Sequence, residues 1–303
     1  MNDTELQPTQ RETDSEMQRM VELAPQTALP SSRRLVLLLL ALATALFAFV
    51  FIPVVVDLPW VNEPWFNLAD AWKLLDPLFT VPLHYLVYAY SPAFAPVSRL
   101  TVVFMAAVGL YVDGHGLHTA CTIFKDPIQY QLNSGGVIDS REFLQRMYQY
   151  IRGDWEHVYS HYIYLVGALA MSFVHVYAFK DAMHAELQQR MDLVLFWAGV
   201  MIYAVLVAGT AINFPYGLIA GLIWICLFAG SWAFWLYHQP DPTYKPLVAA
   251  ARWKACLRTD SLLFSRGKKL VMQWYLAAYG WALLLILLYI CIYGFKSRSA
   301  AGL

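Results

Sequence analysis

Two short stretches of the chain concentrate the side chains that can do chemistry. One reads Tyr111-Val-Asp113-Gly-His115-Gly-Leu-His118-Thr-Ala-Cys121, the other Asp154-Trp-Glu156-His157-Val-Tyr-Ser160-His161. On an α-helix His115 and His118, three apart, share a face. His157 and His161, four apart, do the same, and Asp154 falls three further back on that face. Imidazole with carboxylate is the ligand set of zinc, iron and related metals. The pattern therefore points to a divalent metal, zinc or iron, held by His115, His118, His157 and His161. Asp113 or Glu156 would complete the shell, orient an imidazole, or act as general base on a metal-bound water. Ser160 beside His161 does not form a nucleophile and base pair, because neighbours on a helix point about 100° apart. The plainer counterpart is a set of histidines solvated at helix ends, and what weighs against it is that all four share a depth with two acids.

Other histidines lie deeper. His175 follows His161 by 14 residues, close to four turns, or ~21 Å along a helix. Two histidines so placed on one span suit a transmembrane haem electron carrier, with axial partners from His84 or His238. Otherwise His175 is a bundle residue hydrogen-bonded to a neighbouring helix. Asp76 and His84 are eight apart and can approach the first cluster from a third helix.

The elements that must position these residues are membrane helices. The chain has 303 residues, 59% hydrophobic and 14% charged, and its mean hydropathy of +0.47 is well above that of a soluble domain. About 20 apolar residues cross roughly 30 Å of hydrocarbon as a helix, which keeps every backbone polar group paired. Seven stretches qualify: Leu35 to Val56, Pro77 to Phe94, Leu100 to Phe124, His157 to Phe179, Leu193 to Phe214, Tyr216 to Tyr237 and Leu270 to Phe295. The fold class expected is an all-α polytopic bundle of about seven spans over residues 33–298, with a short tail at 299–303. Both clusters then fall at span ends on one side. A charged Asp at the centre of a bilayer costs about 2.5 to 3.5 kcal/mol, so polar residues at that depth mark functional sites.

Between the spans, Leu58 to Trp72 carries three tryptophans among polar residues and reads as an interfacial belt. Lys125 to Asp154 reads as a loop with a helical Asp139 to Ile151. His238 to Lys269 begins with Pro240, Pro242 and Pro246 and turns basic. That run can meet anionic lipid heads. Residues 1–32 are polar and acidic, too poor in apolar side chains to order themselves. The first apolar run, about 22 residues long, lacks a small-residue cleavage site and is expected to stay in the mature protein. Fourteen Lys and Arg lie on the side shared with the N-terminus and seven on the other, which puts the N-terminus in the cytosol and the C-terminus on the exoplasmic or lumenal side. The Asn2-Asp3-Thr4 sequon is then out of reach of glycosylation. Lys+Arg and Asp+Glu both total 21, so nothing points to nucleic acid. The four cysteines form no disulfide framework or CxxC clip.

Seven spans, a cytosolic N-terminus and an intramembrane set of histidines with an acid resemble the layout of the metal-dependent membrane hydrolases that include alkaline ceramidases and the adiponectin-receptor family. Those proteins place a HxxxH pair in their last span. Leu270 to Phe295 contains no histidine, so no residue role is carried across. The expectation is a membrane-embedded, metal-dependent enzyme acting on a lipid, a hydrolase. A haem-binding electron carrier and a non-enzymatic transporter or receptor are the alternatives.

Overall fold

Each apolar stretch is helical over most of its length. The computed structural model describes residues 31–56, 58–135, 140–182, 184, 187, 189–238 and 269–302. In chain order it contains α1 (Ser32–Val55), a two-stranded antiparallel ribbon of β1 (Trp60–Asn62) and β2 (Phe66–Asn67), α2 (Leu68–Ala89), α3 (Arg99–Asn133), α4 (Arg141–Tyr150), a π-helical segment (Ile151–Ser160), α5 (His161–Ala178), α6 (Arg190–Asn213), α7 (Gly217–His238) and α8 (Leu270–Tyr293). The N-terminal tail, the three prolines after His238 and the basic run up to Lys268 lie outside the described residues.

The fold is all-helical apart from the ribbon, and five helices are long and apolar enough to cross a membrane: α1, α3, the continuous Arg141–Ala178 rod, α6 and α8. That is the make-up of a multi-pass membrane protein. α2 falls outside this group because Asp70, Lys73 and Asp76 interrupt its apolar face. The described apolar part of α7, Gly217–Trp232, is shorter than the others.

Three boundaries differ from those expected. α2 begins at Leu68, not Pro77, because Asn67 and Asp70 form a capping box. The Asn67 side chain accepts the Asp70 N–H at 2.8 Å and the Asp70 carboxylate accepts the Asn67 N–H at 3.1 Å, which satisfies two of the free donors at a helix start. Trp72 therefore belongs to α2, where its indole N–H donates to the Ala48 carbonyl at 3.3 Å. α3 does not stop at Phe124 but runs through Pro127 to Asn133. Its 35 residues span about 52 Å, well beyond the hydrocarbon. The segment expected as a loop helix is the first part of one rod, Arg141–Ala178. His115, His118, His157 and His161 thus sit within long helices, not at helix ends.

α3 and α5 pack antiparallel through glycine. A Cβ on Gly114 would collide with the backbone of Tyr164, and one on Gly167 with the Tyr111 backbone and the Ala107 carbonyl. Without side chains at these two points the helices meet backbone to backbone, the close approach that small residues give membrane helices. On the other side of the bundle, Leu35, Leu39, Leu42 and Leu46 of α1 are buried at helical spacing, and α1 packs on α6 and α2. Trp274, Tyr275 and Tyr279 of α8 are buried against Tyr203 of α6 and Phe228 of α7. The outer face of α8 is apolar too: Leu284, Leu287, Leu288 and Ile292 are exposed.

Candidate functional site

The α3–α5 contact aligns the polar residues of the two helices. Moving along α3 from Gly114, His118 stacks on His161 with ring centroids 4.8 Å apart and planes within 15°. One turn on, Thr122 Oγ1 is 3.0 Å from the His118 carbonyl and 3.5 Å from Glu156 Oε1. Lys125 then grips both oxygens of Glu156, Oε2 at 2.7 Å. His118 Nε2 lies 4.0 Å from Glu156 Oε1. His157 completes the group edge-on to His161, with centroids 5.5 Å apart.

The π winding decides which acid takes part. A π-helix carries its hydrogen bonds from i to i+5 and so turns less per residue than an α-helix. Over Ile151–Ser160 this swings Asp154, expected on the histidine face, out to an exposed position, and turns Glu156 inward to 3% exposure. Such segments cluster at functional sites.

A third helix contributes what the two clusters lack. Asp76 of α2 is buried, accepts the Tyr111 hydroxyl at 3.0 Å on Oδ1 and places Oδ2 3.3 Å from His115 Nε2. That last contact lacks hydrogen-bond alignment, so His115 Nε2 is left unpaired. Thr80, whose hydroxyl donates to the Asp76 carbonyl at 2.8 Å, lies 3.1 Å from the Tyr111 hydroxyl. The His115 ring rests between Tyr111 and Tyr164, each 4.6 Å away.

The four histidines, Asp76 and Glu156 line one cavity of about 350 Å³. Lys73, Asp76, His115, His118, Glu156, His157, His161 and Tyr164 form its polar wall; Phe49, Val50, Pro53, Val54 and Phe214 are among its apolar ones. All four histidines expected at the site therefore face one space, with Glu156. Asp113 does not: it is exposed on α3 and is not part of the lining. Asp76 stands where an acid was expected from Asp113. From sequence Lys73 and Lys125 counted only toward orientation, since an isolated lysine near a span end is an ordinary topology signal. Among the described residues, no group of three or more His, Cys, Asp or Glu side chains is arranged to hold a metal ion. The histidines are near one another as ring pairs, not as a coordination shell.

His175 has a different situation. In the neutral ring Nε2 donates to the His84 carbonyl at 2.9 Å, since a carbonyl can only accept, and Nδ1 accepts from the Tyr275 hydroxyl at 2.8 Å. Both nitrogens are thus engaged, and axial ligation of a haem iron would have to break one of these bonds. Comparison with protein-family models, with curated proteins and with solved structures yields no match to this chain.

Proposed function

We propose that this chain is an integral membrane protein of seven helical spans, N-terminus cytosolic and C-terminus exoplasmic or lumenal, and that the His/acid cavity is the centre of a metal-dependent enzyme acting on a lipid, a hydrolase. The observation that carries the reading is a cavity of about 350 Å³ walled by four histidines and two acids, in which the buried nitrogens His115 Nε2 and His161 Nδ1 have no hydrogen-bond partner. An unpaired buried polar atom costs about 1–3 kcal/mol. A bound ion or a substrate group would remove that cost.

Two carboxylates, Asp76 and Glu156, face the cavity beside the four histidines and would meet a divalent ion there. His118, His157 and His161, with His115, would be its ligands once the His118–His161 stack opens, and it would supply a Lewis acid and an activated water. Asp76, oriented by Tyr111 and Thr80, is the carboxylate free to handle a proton at His115, because Glu156 is committed to Lys125. A lipid substrate is favoured because the polar cavity shares Val50, His115, Tyr164, Thr210 and Phe214 with an apolar pocket.

The test is elemental mass spectrometry on detergent-purified protein prepared without chelators, wild type beside His118→Ala and His161→Ala. Near-stoichiometric zinc or iron, lost in both variants while membrane insertion is retained, is the expected result, and the metal found separates hydrolysis from oxidation. A wild type free of metal would overturn the enzyme reading and leave the cavity as the polar site of a transporter or receptor.

A further inference from the structure

Among the residues that line the apolar pocket beside the cavity, His84 of α2 is the histidine left with both ring nitrogens unpaired. It is 0% exposed. Its backbone carbonyl is occupied by His175, and its ring stacks on the His175 ring at 5.2 Å, so the ring is held in place while its polar atoms stay unsatisfied. The rest of the lining is mostly apolar, with Leu169, Leu206, Ala211 and Ala220 among it. A buried imidazole with no partner is costly in such surroundings. His84 stands next to Tyr111, at 6.3 Å between centroids, and Tyr111 in turn lies 4.6 Å from His115. It therefore borders the junction with the polar cavity.

We infer that this pocket receives the first few carbons of the apolar chain of a lipid whose head lies in the His/acid cavity, and that His84 hydrogen-bonds a hydroxyl group carried on that short stretch. The inference rests on reading the cavity as a lipid site. A hydroxyl is the group that fits, because it both donates and accepts and so pairs the ring nitrogen it reaches in either tautomer, whereas a carbonyl or an ether meets only an N–H. The pocket holds about 80 Å³ and is bordered by the small side chains of Ala168, Ala211 and Ala220, room for a few carbons of a chain.

The experiment uses the full chain in detergent and two photo-crosslinking probes, a long-chain alcohol bearing a diazirine and its methyl ether. Crosslinked peptides are located by mass spectrometry. The alcohol should label the α5, α6 and α7 segments that line the pocket about fivefold to tenfold more than the ether, the range of one neutral hydrogen bond. His84→Phe keeps the ring and the backbone carbonyl that His175 needs, and should bring alcohol labelling down to the ether level. Ala168→Phe fills the pocket and should abolish labelling by both; Ala220→Leu serves the same purpose if Ala168→Phe does not fold. Equal labelling by alcohol and ether in the wild type, or labelling untouched by His84→Phe, would overturn the inference and leave His84 satisfied by water. Metal content measured on the same samples separates the two readings. Loss of alcohol preference with metal retained sinks only the pocket, and labelling as expected without metal sinks only the metal centre.

Discussion

At the residue scale, the polar side chains inside this bundle divide into those fully engaged and those left waiting. His175 is engaged at both nitrogens. His175→Phe should leave the Tyr275 hydroxyl buried without its partner and lower stability by about 2 kcal/mol, read by denaturation in detergent, with metal content unchanged. Glu156 is engaged with Lys125 in a largely buried ion pair. Glu156→Gln strands the ammonium, and removing one partner of such a pair costs about 3 kcal/mol. Adding Lys125→Met should recover much of that loss, and a double variant no more stable than the single one would refute the pairing. In contrast His84, His115 and His161 each keep a buried ring nitrogen unpaired. The histidine spacings in DGHGLH and in the 157–161 pair led to His115 and His161 directly, whereas His84 lies outside both motifs. The choice among acids did not follow from spacing, because Asp113, Asp154 and Glu156 are equivalent in type and differ only in the face on which the backbone leaves them.

At the element scale, the site depends on how closely two helices approach and on how one of them is wound. Gly114 and Gly167 bring α3 and α5 into backbone contact, which sets the distance between the His118 and His161 rings. Gly114→Val or Gly167→Val adds a branched side chain where even a Cβ collides. Either variant should lower the unfolding midpoint in detergent, because the two helices must separate to admit it, while Gly109→Ala, with nothing near its Cβ, should leave the midpoint unchanged. An unchanged midpoint in both valine variants would refute the packing. Of the alternating glycines Gly114 and Gly116, only Gly114 meets a neighbour; a Cβ on Gly116 would face open space. The capping box of Asn67 and Asp70 was legible in principle as an N-x-x-D pattern. It was masked by Pro77 and Pro82, which read as the start of a later span although proline is tolerated inside a membrane helix.

At the scale of the whole molecule, the longest helices exceed what a bilayer needs. α3 and the Arg141–Ala178 rod extend together past the cavity. Gln131 of α3 and Tyr148 of the rod lie in these extensions, and the residues around them are polar. In a background without native cysteines, Gln131→Cys and Tyr148→Cys should react with a membrane-impermeant maleimide from the same side, opposite the N-terminus. Val102→Cys, on the apolar part of α3, should resist it. Labelling of the two extensions from opposite sides would break the hairpin arrangement and the seven-span reading with it.

The sequence by itself determined that most of this chain is helix, that its helices are apolar enough for a membrane, and that its histidines pair by helical spacing. Those properties depend on local composition and period, which follow from backbone hydrogen bonding and side-chain transfer to an apolar medium. Only the tertiary structure decided that Asp76, Lys73 and Lys125 join the histidines, that Asp113 and Asp154 do not, and that a second pocket with an unpaired His84 adjoins them. Those outcomes turn on contacts between residues tens of positions apart and on a π-helical change of phase. No local pattern encodes either.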